Sequence, residues 1–419
     1  MSHFSIQCRN CGKILENAYC AFCEHCKDAL LVTRYHDARF SESAASGVWK
    51  FNWLPVHEPN IPQPGPIVYR SDGLAGDLGL TNLFIAFNGY WPEKGALLET
   101  CTFKEFEAAI VLQNARENGI EGLIVASAGN TARAFAHLSA VTGFPTVIVV
   151  PRMCLMEMWY LEKSSTVPTL AVGDGDYADS IDVAKKIALT MGFPFEGGVK
   201  NIAKRDGLGI VMLEAVSKIG KLPDHYVQAV GSGTGAIGAW EMAERFVKDG
   251  RFGNRLPILH LGQNLPFAPM LHAWEKGSRT LFADDLRLEL IGQITTRVLS
   301  TRYPAYSVKG GVYDALSSTN GKMYGIENDA VYAAMDAFLK TEGIDVVPAS
   351  GVAVAVLKYA VQSGVIKKNE TVLLNITGGG EARLRQDKKT HSVVPKYISK
   401  AITEKEIEEL LCHDLKKNS

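Results

Sequence analysis

The stretch YVQAVGSGTG, residues 226–235, predicts a strand, a glycine-rich turn and the start of a helix. Residues 226–230 are an apolar run of strand length, and a helical pattern extends from 236 to about 246. Such a turn presents backbone N–H groups and the positive end of a helix dipole to one point. The candidate phosphate site comprises Gly231, Ser232, Gly233, Thr234 and Gly235.

Two further predicted strands end in short polar or glycine-rich segments. Residues 122–126 lead to the loop SAGNTA, and residues 371–377 lead to three glycines. The alternation of strands and helices predicts a mainly parallel sheet with helices on both faces. Ligands of such sheets bind at the carboxyl ends of the strands, which makes Thr377 a candidate site residue.

The block TCTFKEFE, residues 100–107, places Lys104 where a helix begins. A lysine amine can act as a nucleophile and form a Schiff base with a carbonyl compound. A lysine on the exposed face of an amphipathic helix is the ordinary alternative. The other motifs decide between these interpretations.

Lys104 within TCTFKEFEA, the loop SAGNTA, the turn GSGTG and the terminal NITGGG occur in the order of one enzyme group. They resemble the threonine synthase group of pyridoxal-phosphate enzymes (fold type II), and within it the cysteate synthases. The similarity covers nearly the whole chain. It implies an α/β, tryptophan synthase β-like fold with two doubly wound parallel-sheet domains behind a short Cys-rich N-terminal segment.

The resemblance also implies a domain division. We predict an N-terminal segment at 1–45, a large cofactor-binding domain from 46–115 and 224–419, and a small mobile domain at 116–223. The active site is expected between the two domains, where ligand pockets are common.

By the same resemblance, Lys104 holds pyridoxal phosphate as a Schiff base and later moves the substrate's α-proton. Asn130 matches the asparagine that hydrogen-bonds the ring hydroxyl of the cofactor. Ser127 and Thr131 belong to the loop that receives the substrate's α-carboxylate in related enzymes. Residues 231–235 match the cup for the cofactor phosphate.

Thr377 matches the hydroxyl residue that faces the pyridine nitrogen. A neutral partner suits elimination and replacement better than transamination. The lysine block departs from the threonine synthase pattern, because neither the usual aspartate nor the usual arginine follows Lys104. This departure indicates a different acceptor or side-chain length.

The implied reaction converts O-phospho-L-serine and sulfite to L-cysteate and phosphate, in coenzyme M biosynthesis. Threonine synthase acting on O-phosphohomoserine and a sulfide-using cysteine synthase stay open as alternatives. Both exchanged groups are anions, so basic donors beyond the cup are expected. The candidates are Lys200, Lys204 and Arg205 first, then Arg297 with Arg302. A solvated basic cluster is an equally good interpretation of each set.

Five of the eight cysteines lie between residues 8 and 26. Cys8 with Cys11 and Cys23 with Cys26 form CxxC pairs that could present four thiolates to a structural zinc ion. Cys20 and Cys23 also have the CxxC spacing, so a second pairing is possible. Unligated reduced thiols are the alternative.

Length and charge narrow the class of protein. A chain of 419 residues is too long for one compact core. A formal net charge of -1 gives no field that attracts nucleic acid or a membrane surface. Without an apolar run of signal-peptide or membrane-span length, we expect a cytoplasmic enzyme of small-molecule substrates. The resemblance adds that it is a homo-oligomer.

Two other classes are disfavoured by the residues. The spacing GxGxxG at 233–238 formally matches a dinucleotide fingerprint, but the next strand, 258–263, ends without an acidic residue for a ribose. A nucleic-acid-binding zinc ribbon would need more basic and aromatic residues than the N-terminus has. Asp174 and Asp176 are expected to cap a helix rather than to bind metal.

Overall fold

The computed structural model describes residues 3–15, 19–127, 129–161 and 167–415. The strands are β1 Phe4–Cys8, β2 Ile14–Leu15, β3 Leu31–Tyr35, β4 Ile67–Arg70, β5 Asn82–Phe87, β6 Tyr90–Trp91, β7 Ala96–Leu97, β8 Leu123–Ala126, β9 Thr146–Pro151, β10 Trp159–Tyr160, β11 Thr169–Val172, β12 His225–Ala229, β13 Ile258–Asn264, β14 Lys322–Ile326, β15 Thr371–Ile376, β16 His391–Ser392 and β17 Lys396–Ile398.

The helices alternate with these strands through the main body of the chain. They are α1 Gly73–Leu78, α2 Lys104–Glu117, α3 Asn130–Thr142, α4 Tyr177–Met191, α5 Ile202–Ile219, α6 Thr234–Asp249, α7 Pro269–Glu275, α8 Leu288–Ile291, α9 Val312–Ser318, α10 Asn328–Glu342, α11 Pro348–Gln362, α12 Glu381–Asp387 and α13 Glu404–Leu415. Among the described residues, none of these helices has both the length and the apolar character of a membrane span.

Two separate sheets organise the molecule. The large sheet has the strand order β14-β13-β12-β15-β5-β4, and all neighbours are parallel except β4 with β5. The small sheet has the order β17-β11-β9-β8 and is parallel throughout. Every residue of β12, β15, β8, β9 and β11 is buried, as expected for parallel strands covered by helices on both faces. The predicted α/β architecture is therefore confirmed.

Two segments lie on the opposite side of the predicted domain boundaries. Helix α5 packs against α2, α6, β4 and β5, so it lies on the large sheet although it falls within 116–223. Strand β17 joins the edge of the small sheet by pairing with β11, and α13 packs against α4. The predicted boundaries place the end of the chain in the large domain because a three-residue strand carries no local sign of its distant partner.

The turn after β11 ties these segments together. Asp176 caps α4 as predicted, in a reciprocal box with Asp179 whose two N–H···O bonds are both 2.9 Å. Asp174 does not cap the helix. Its carboxylate accepts hydrogen bonds from the Lys400 N–H at 2.9 Å and the Ser399 hydroxyl at 3.1 Å, which fixes the C-terminal segment against the small sheet.

The N-terminal segment forms a third, antiparallel sheet in the order β2-β1-β3. Its small apolar core includes Cys8, Cys23 and Leu31 and extends to Ile202, the first residue of α5. The segment therefore packs directly on a helix of the large sheet.

Candidate active site

Lys104 is the first residue of α2, as the sequence predicts. The turn before it is tight, because Cys101 has a left-handed φ of 54°. The buried carboxylate of Glu105 closes this turn by accepting hydrogen bonds from the backbone N–H and the hydroxyl of Thr100. The lysine therefore projects from a rigid corner rather than from the middle of a solvated helix.

The motifs that flank Lys104 in the prediction meet at this corner. The carbonyl oxygen of Thr377, just after β15, accepts hydrogen bonds from the Phe103 N–H at 3.0 Å and the Thr102 hydroxyl at 3.2 Å. A Cβ atom at Gly235 would lie 3.0 Å from the ring of Phe103. The glycine turn and the end of β15 thus both contact the segment that carries Lys104.

A buried carboxylate, Glu107, lies one helical turn after the lysine. Its side chain is fully buried and accepts from Lys104 Nζ at 3.0 Å, Lys204 Nζ at 3.3 Å and the Thr131 hydroxyl at 2.6 Å. Glu196 contacts Lys204 from the other side, at 3.1 Å. Two ammonium groups and two carboxylates therefore alternate in one buried network.

The network sets the charge states of its members. Burial lowers the pKa of Lys104; the Glu107 carboxylate opposes this shift, and the positive charge on Lys204 adds to it. Burial would raise the pKa of Glu107, but Lys104 and Lys204 outweigh it and hold that pKa below its ordinary value. Burial would likewise lower the pKa of Lys204, but Glu107 and Glu196 raise it. The balance favours an ionised Glu107, a charged Lys204 and an easily deprotonated Lys104.

Two glycines of the turn have no room for a side chain. A Cβ atom at Gly231 would lie 3.0 Å from the Leu299 Cα, and one at Gly233, whose φ is 82°, would lie 2.2 Å from the Val312 side chain. The 16-residue helix α6 begins within this stretch, at Thr234, and its first N–H groups lack intrahelical carbonyl partners. Close backbone approach and a helix N-terminus fit a bound phosphate group, which pyridoxal phosphate carries.

The loop SAGNTA also lies at this site, between β8 and α3, although residue 128 is outside the described residues. The Ser127 hydroxyl accepts from the Gly129 N–H at 3.1 Å. Asn130 begins α3 and accepts from Arg133 at 3.3 Å. Thr131 is joined to Lys104 through Glu107. The loop is therefore connected to the lysine through Thr131 and Glu107.

The structure separates the predicted basic candidates. Lys204 enters the network described above, and Lys200 is exposed at the start of the same segment. Arg205 points elsewhere: its guanidinium group is fully buried and donates to Glu241, Val199 and Leu31. Arg205 therefore has no hydrogen-bonding capacity directed at a substrate, and its role is to join helices.

The structure has a cavity of about 410 Å³ between the turn after β11 and the segment that contains Arg297. It is lined by the turn after β11, including Tyr177, and by residues 297–303 of the large-sheet side. Burial raises the pKa of Tyr177 to about 12, and the positive charge of Lys204 opposes that shift. Arg302 crosses the cavity mouth to Asp176 at 2.5 Å, whereas Arg297 is exposed and has no ion pair within the described part of the chain. The cavity lining includes neither Lys104 nor a residue of the glycine turn, and its link to the network is the electrostatic interaction of Tyr177 with Lys204.

Comparisons with known proteins agree with this geometry. Residues 88–378 match the family model described as pyridoxal-phosphate dependent enzyme. The chain is 47% identical over 397 residues to the cysteate synthase of Methanosphaerula palustris, covering 94% of this chain and 92% of the relative. It is 45% identical over 393 residues to that of Methanosarcina acetivorans, covering 92% and 94%. The chain belongs to the cysteate synthase family of pyridoxal-phosphate dependent enzymes.

Solved structures of this wider family share the fold. Maize serine racemase superposes with a TM-score of 0.58 over 77% of this chain and 91% of that chain, at 15% identity. Threonine deaminase isoform 2 from Solanum lycopersicum gives 0.56 over 77% and 81%, at 16% identity. The predicted family, fold type and pyridoxal-phosphate cofactor are confirmed. The individual site residues stay predictions, now with a common location.

Sequence reasoning missed two carboxylates of this network, Glu107 and Glu196, and the neighbouring Tyr177. Glu107 could have been found, because a carboxylate at i+3 from a helical lysine lies on the same face. Glu196 and Tyr177 could not, because they reach Lys204 from segments whose position only the packing of α4 and α5 determines. No motif marks them.

Proposed function

We propose that this enzyme replaces the phosphate of O-phospho-L-serine with sulfite to form L-cysteate, a step in coenzyme M biosynthesis. Its similarity to cysteate synthases over more than nine-tenths of the chain supports this assignment. The observation that carries the chemistry is the convergence of the glycine cup, Thr377 and the Glu107 network on Lys104.

The cofactor fits the residues at this corner. Gly231 to Gly235 and the start of α6 hold its phosphate, Asn130 its ring hydroxyl and Thr377 its ring nitrogen. When bound, pyridoxal phosphate supplies a carbonyl group for amines and a sink for the electrons released at the substrate's α-carbon. The remaining chemistry falls to side chains of this chain.

Lys104 Nζ is the general base that takes the α-proton of the substrate and returns it at the end of the cycle. Burial favours its neutral form, and the Glu107 carboxylate 3.0 Å away orients the amine. The bond from Cβ to the phosphate oxygen breaks and a bond from Cβ to the sulfite sulfur forms. Because one anion leaves as another enters, the charge of the site is restored after each turnover.

The two anions need donors that the cofactor does not occupy. We assign Ser127 and Thr131 to the loop that receives the α-carboxylate of the substrate, as the family resemblance implies. Our candidates for phosphate and sulfite are two exposed cations, Arg297, which lines the cavity, and Lys200, which lies just before α5. Lys204 contributes positive potential from within the network rather than as a free donor, because Glu107 and Glu196 already contact it.

Product analysis of the purified enzyme tests this proposal. O-phosphoserine is supplied with sulfite or with sulfide, and O-phosphohomoserine is supplied with water. We expect cysteate from the first pair and little product from the last. Cysteine as the main product would identify a sulfide-using enzyme, and threonine alone would identify a threonine synthase.

Domain closure, assembly and location are further parts of the proposal. Two ion pairs join the small-sheet side to the large-sheet side, Arg133 with Glu381 at 3.1 Å and Arg302 with Asp176. They support closure of the small domain over the substrate, which a change in small-angle scattering on adding phosphoserine would reveal. We also infer a homo-oligomer, to be checked by light scattering. A cytoplasmic location is consistent with the free cysteines of the described residues.

A further inference from the structure

Four cysteines of the N-terminal segment form a cluster distant in sequence from the lysine chemistry. Cys8 ends β1, Cys11 lies in the following turn, and Cys23 and Cys26 lie in a second turn before β3. Their sulfur atoms all lie within 4.8 Å of one another, and Cys11 Sγ is 3.8 Å from Cys23 Sγ. A tetrahedral zinc site with Zn–S bonds of about 2.3 Å has sulfur–sulfur edges of about 3.8 Å. The cluster therefore already has the dimensions of a four-thiolate site.

Two donors from one residue are directed at the cluster. The backbone N–H of Asn10 donates to Cys8 Sγ, and its side-chain amide donates to Cys26 Sγ, both at 3.4 Å. The side chain and the backbone of Asn10 thus each contact a different sulfur atom of the cluster. Gly12, with a φ of 72°, closes the first turn by donating to the Cys8 carbonyl at 3.1 Å.

The structure also chooses between the two spacings that the sequence leaves open. Cys20 is outside the cluster, and its thiol donates to the Phe22 carbonyl at 3.0 Å. The ligand set is therefore Cys8, Cys11, Cys23 and Cys26. Cys20 provides a matched control, because it is a neighbouring cysteine of the same segment with no place in the site.

The segment that carries the cluster packs against the start of α5, the helix that carries Lys204. Behind Cys8 and Cys23, the segment's core reaches Ile202 at the start of α5. One turn of that helix is then bonded to β3: Arg205 donates to the Leu31 carbonyl, and Asp206 accepts from the Tyr35 hydroxyl at 2.8 Å. Lys204 lies in this same turn.

We propose that the four cysteines bind one zinc ion, which folds the N-terminal segment and thereby holds the first turn of α5 in place. The ion has four protein ligands and no open position, so it takes no part in the reaction. Its effect on the active site is indirect, through the position of Lys204. Metal binding of this kind is coupled to folding of the segment that supplies the ligands.

Metal analysis of the full-length, cofactor-loaded enzyme tests the site. The protein is prepared anaerobically with zinc in the growth medium and assayed by mass spectrometry. We expect one zinc per chain in the wild type and in Cys20→Ser, and less than one-tenth of that in Cys11→Ser. A wild type without zinc, or equal zinc loss in Cys20→Ser and Cys11→Ser, would overturn the proposal.

A second measurement does not depend on the variants folding. Wild-type protein grown with cobalt(II) should show the intense near-ultraviolet sulfur-to-cobalt bands of four thiolate ligands, and weak bands would contradict this ligand set. Hydrogen exchange after a chelator has removed the zinc tests whether the ion stabilises the first turn of α5. Protection should fall in residues 202–206 and persist in β12, whereas unchanged protection in 202–206 would refute that role.

Discussion

Replacing Glu107 with glutamine tests the network around Lys104. The variant has nearly the same shape and keeps one oxygen as an acceptor. In the wild type, the Glu107 carboxylate contacts two ammonium groups, at 3.0 and 3.3 Å. In the variant, the NH₂ group of glutamine directs its hydrogens at one of them. The substitution therefore removes a buried charge without creating a cavity.

The structure sets the expected size of the effect. Removing one partner of a buried ion pair costs about 3–5 kcal/mol of the free energy of unfolding. Lys204 keeps Glu196 at 3.1 Å, so we expect a loss at the lower end, about 3 kcal/mol. Burial of Lys104 is unchanged while the attraction that opposes it disappears. The pKa of Lys104 should therefore fall below its wild-type value.

The pKa is measured on protein stripped of its cofactor. Only the neutral amine of Lys104 reacts with added pyridoxal phosphate, so the rate of appearance of the yellow absorbance rises with pH through that pKa. We expect the midpoint for Glu107→Gln to lie at lower pH than for wild type, and urea unfolding to show the loss of stability. Glu117→Gln, at the far end of the same helix, is the control and should leave the midpoint unchanged.

Two results would refute the reasoning. A midpoint at unchanged or higher pH would mean that the Glu107 carboxylate does not stabilise the protonated form of Lys104. Unchanged urea unfolding would mean that the carboxylate is not the buried partner of two ammonium groups. A shifted midpoint in Glu117→Gln as well would place the effect in the helix as a whole.

Three further predictions follow from the same geometry. Lys104→Ala should abolish the yellow absorbance and lower kcat by about 1,000-fold or more, measured with phosphoserine and sulfite. Gly233→Ala should weaken cofactor binding at least tenfold in equilibrium dialysis, because its methyl group would meet Val312; Gly250→Ala has a similar φ, 77°, but open space, and should bind normally. Arg297→Ala should raise the KM for phosphoserine or sulfite about tenfold, which is about 1.4 kcal/mol, whereas the exposed Arg255→Ala should not.

The sequence identifies the parts of the site that are continuous along the chain. A strand, a glycine turn and a helix are adjacent in sequence, and the turn at 231–235 lies where the pattern predicts. Lys104 begins its helix for the same reason. Local backbone chemistry determines these features, and local chemistry is what a motif records.

The predictions that failed to match the structure all involve distant partners. The C-terminal strand β17 pairs with β11, more than 200 residues earlier in the chain, and α5 lies on the large sheet rather than the small one. Arg205 and Lys204 are neighbours in sequence, yet they point to different partners, Glu241 and Glu107. Adjacent helical residues face different directions, so only the neighbours of α5 decide which of them reaches the site.

By itself, the sequence determined the start of the helix at Lys104, the glycine turn at 231–235 and the spacing of the cysteine pairs. Each depends on residues within one turn or one strand–turn–helix unit, where bond geometry limits the outcome. Tertiary structure decided which carboxylates surround Lys104, which arginine is structural and which four cysteines meet. These depend on the packing of segments far apart in the chain, where burial makes a charge costly unless a partner from another element lies within about 3 Å.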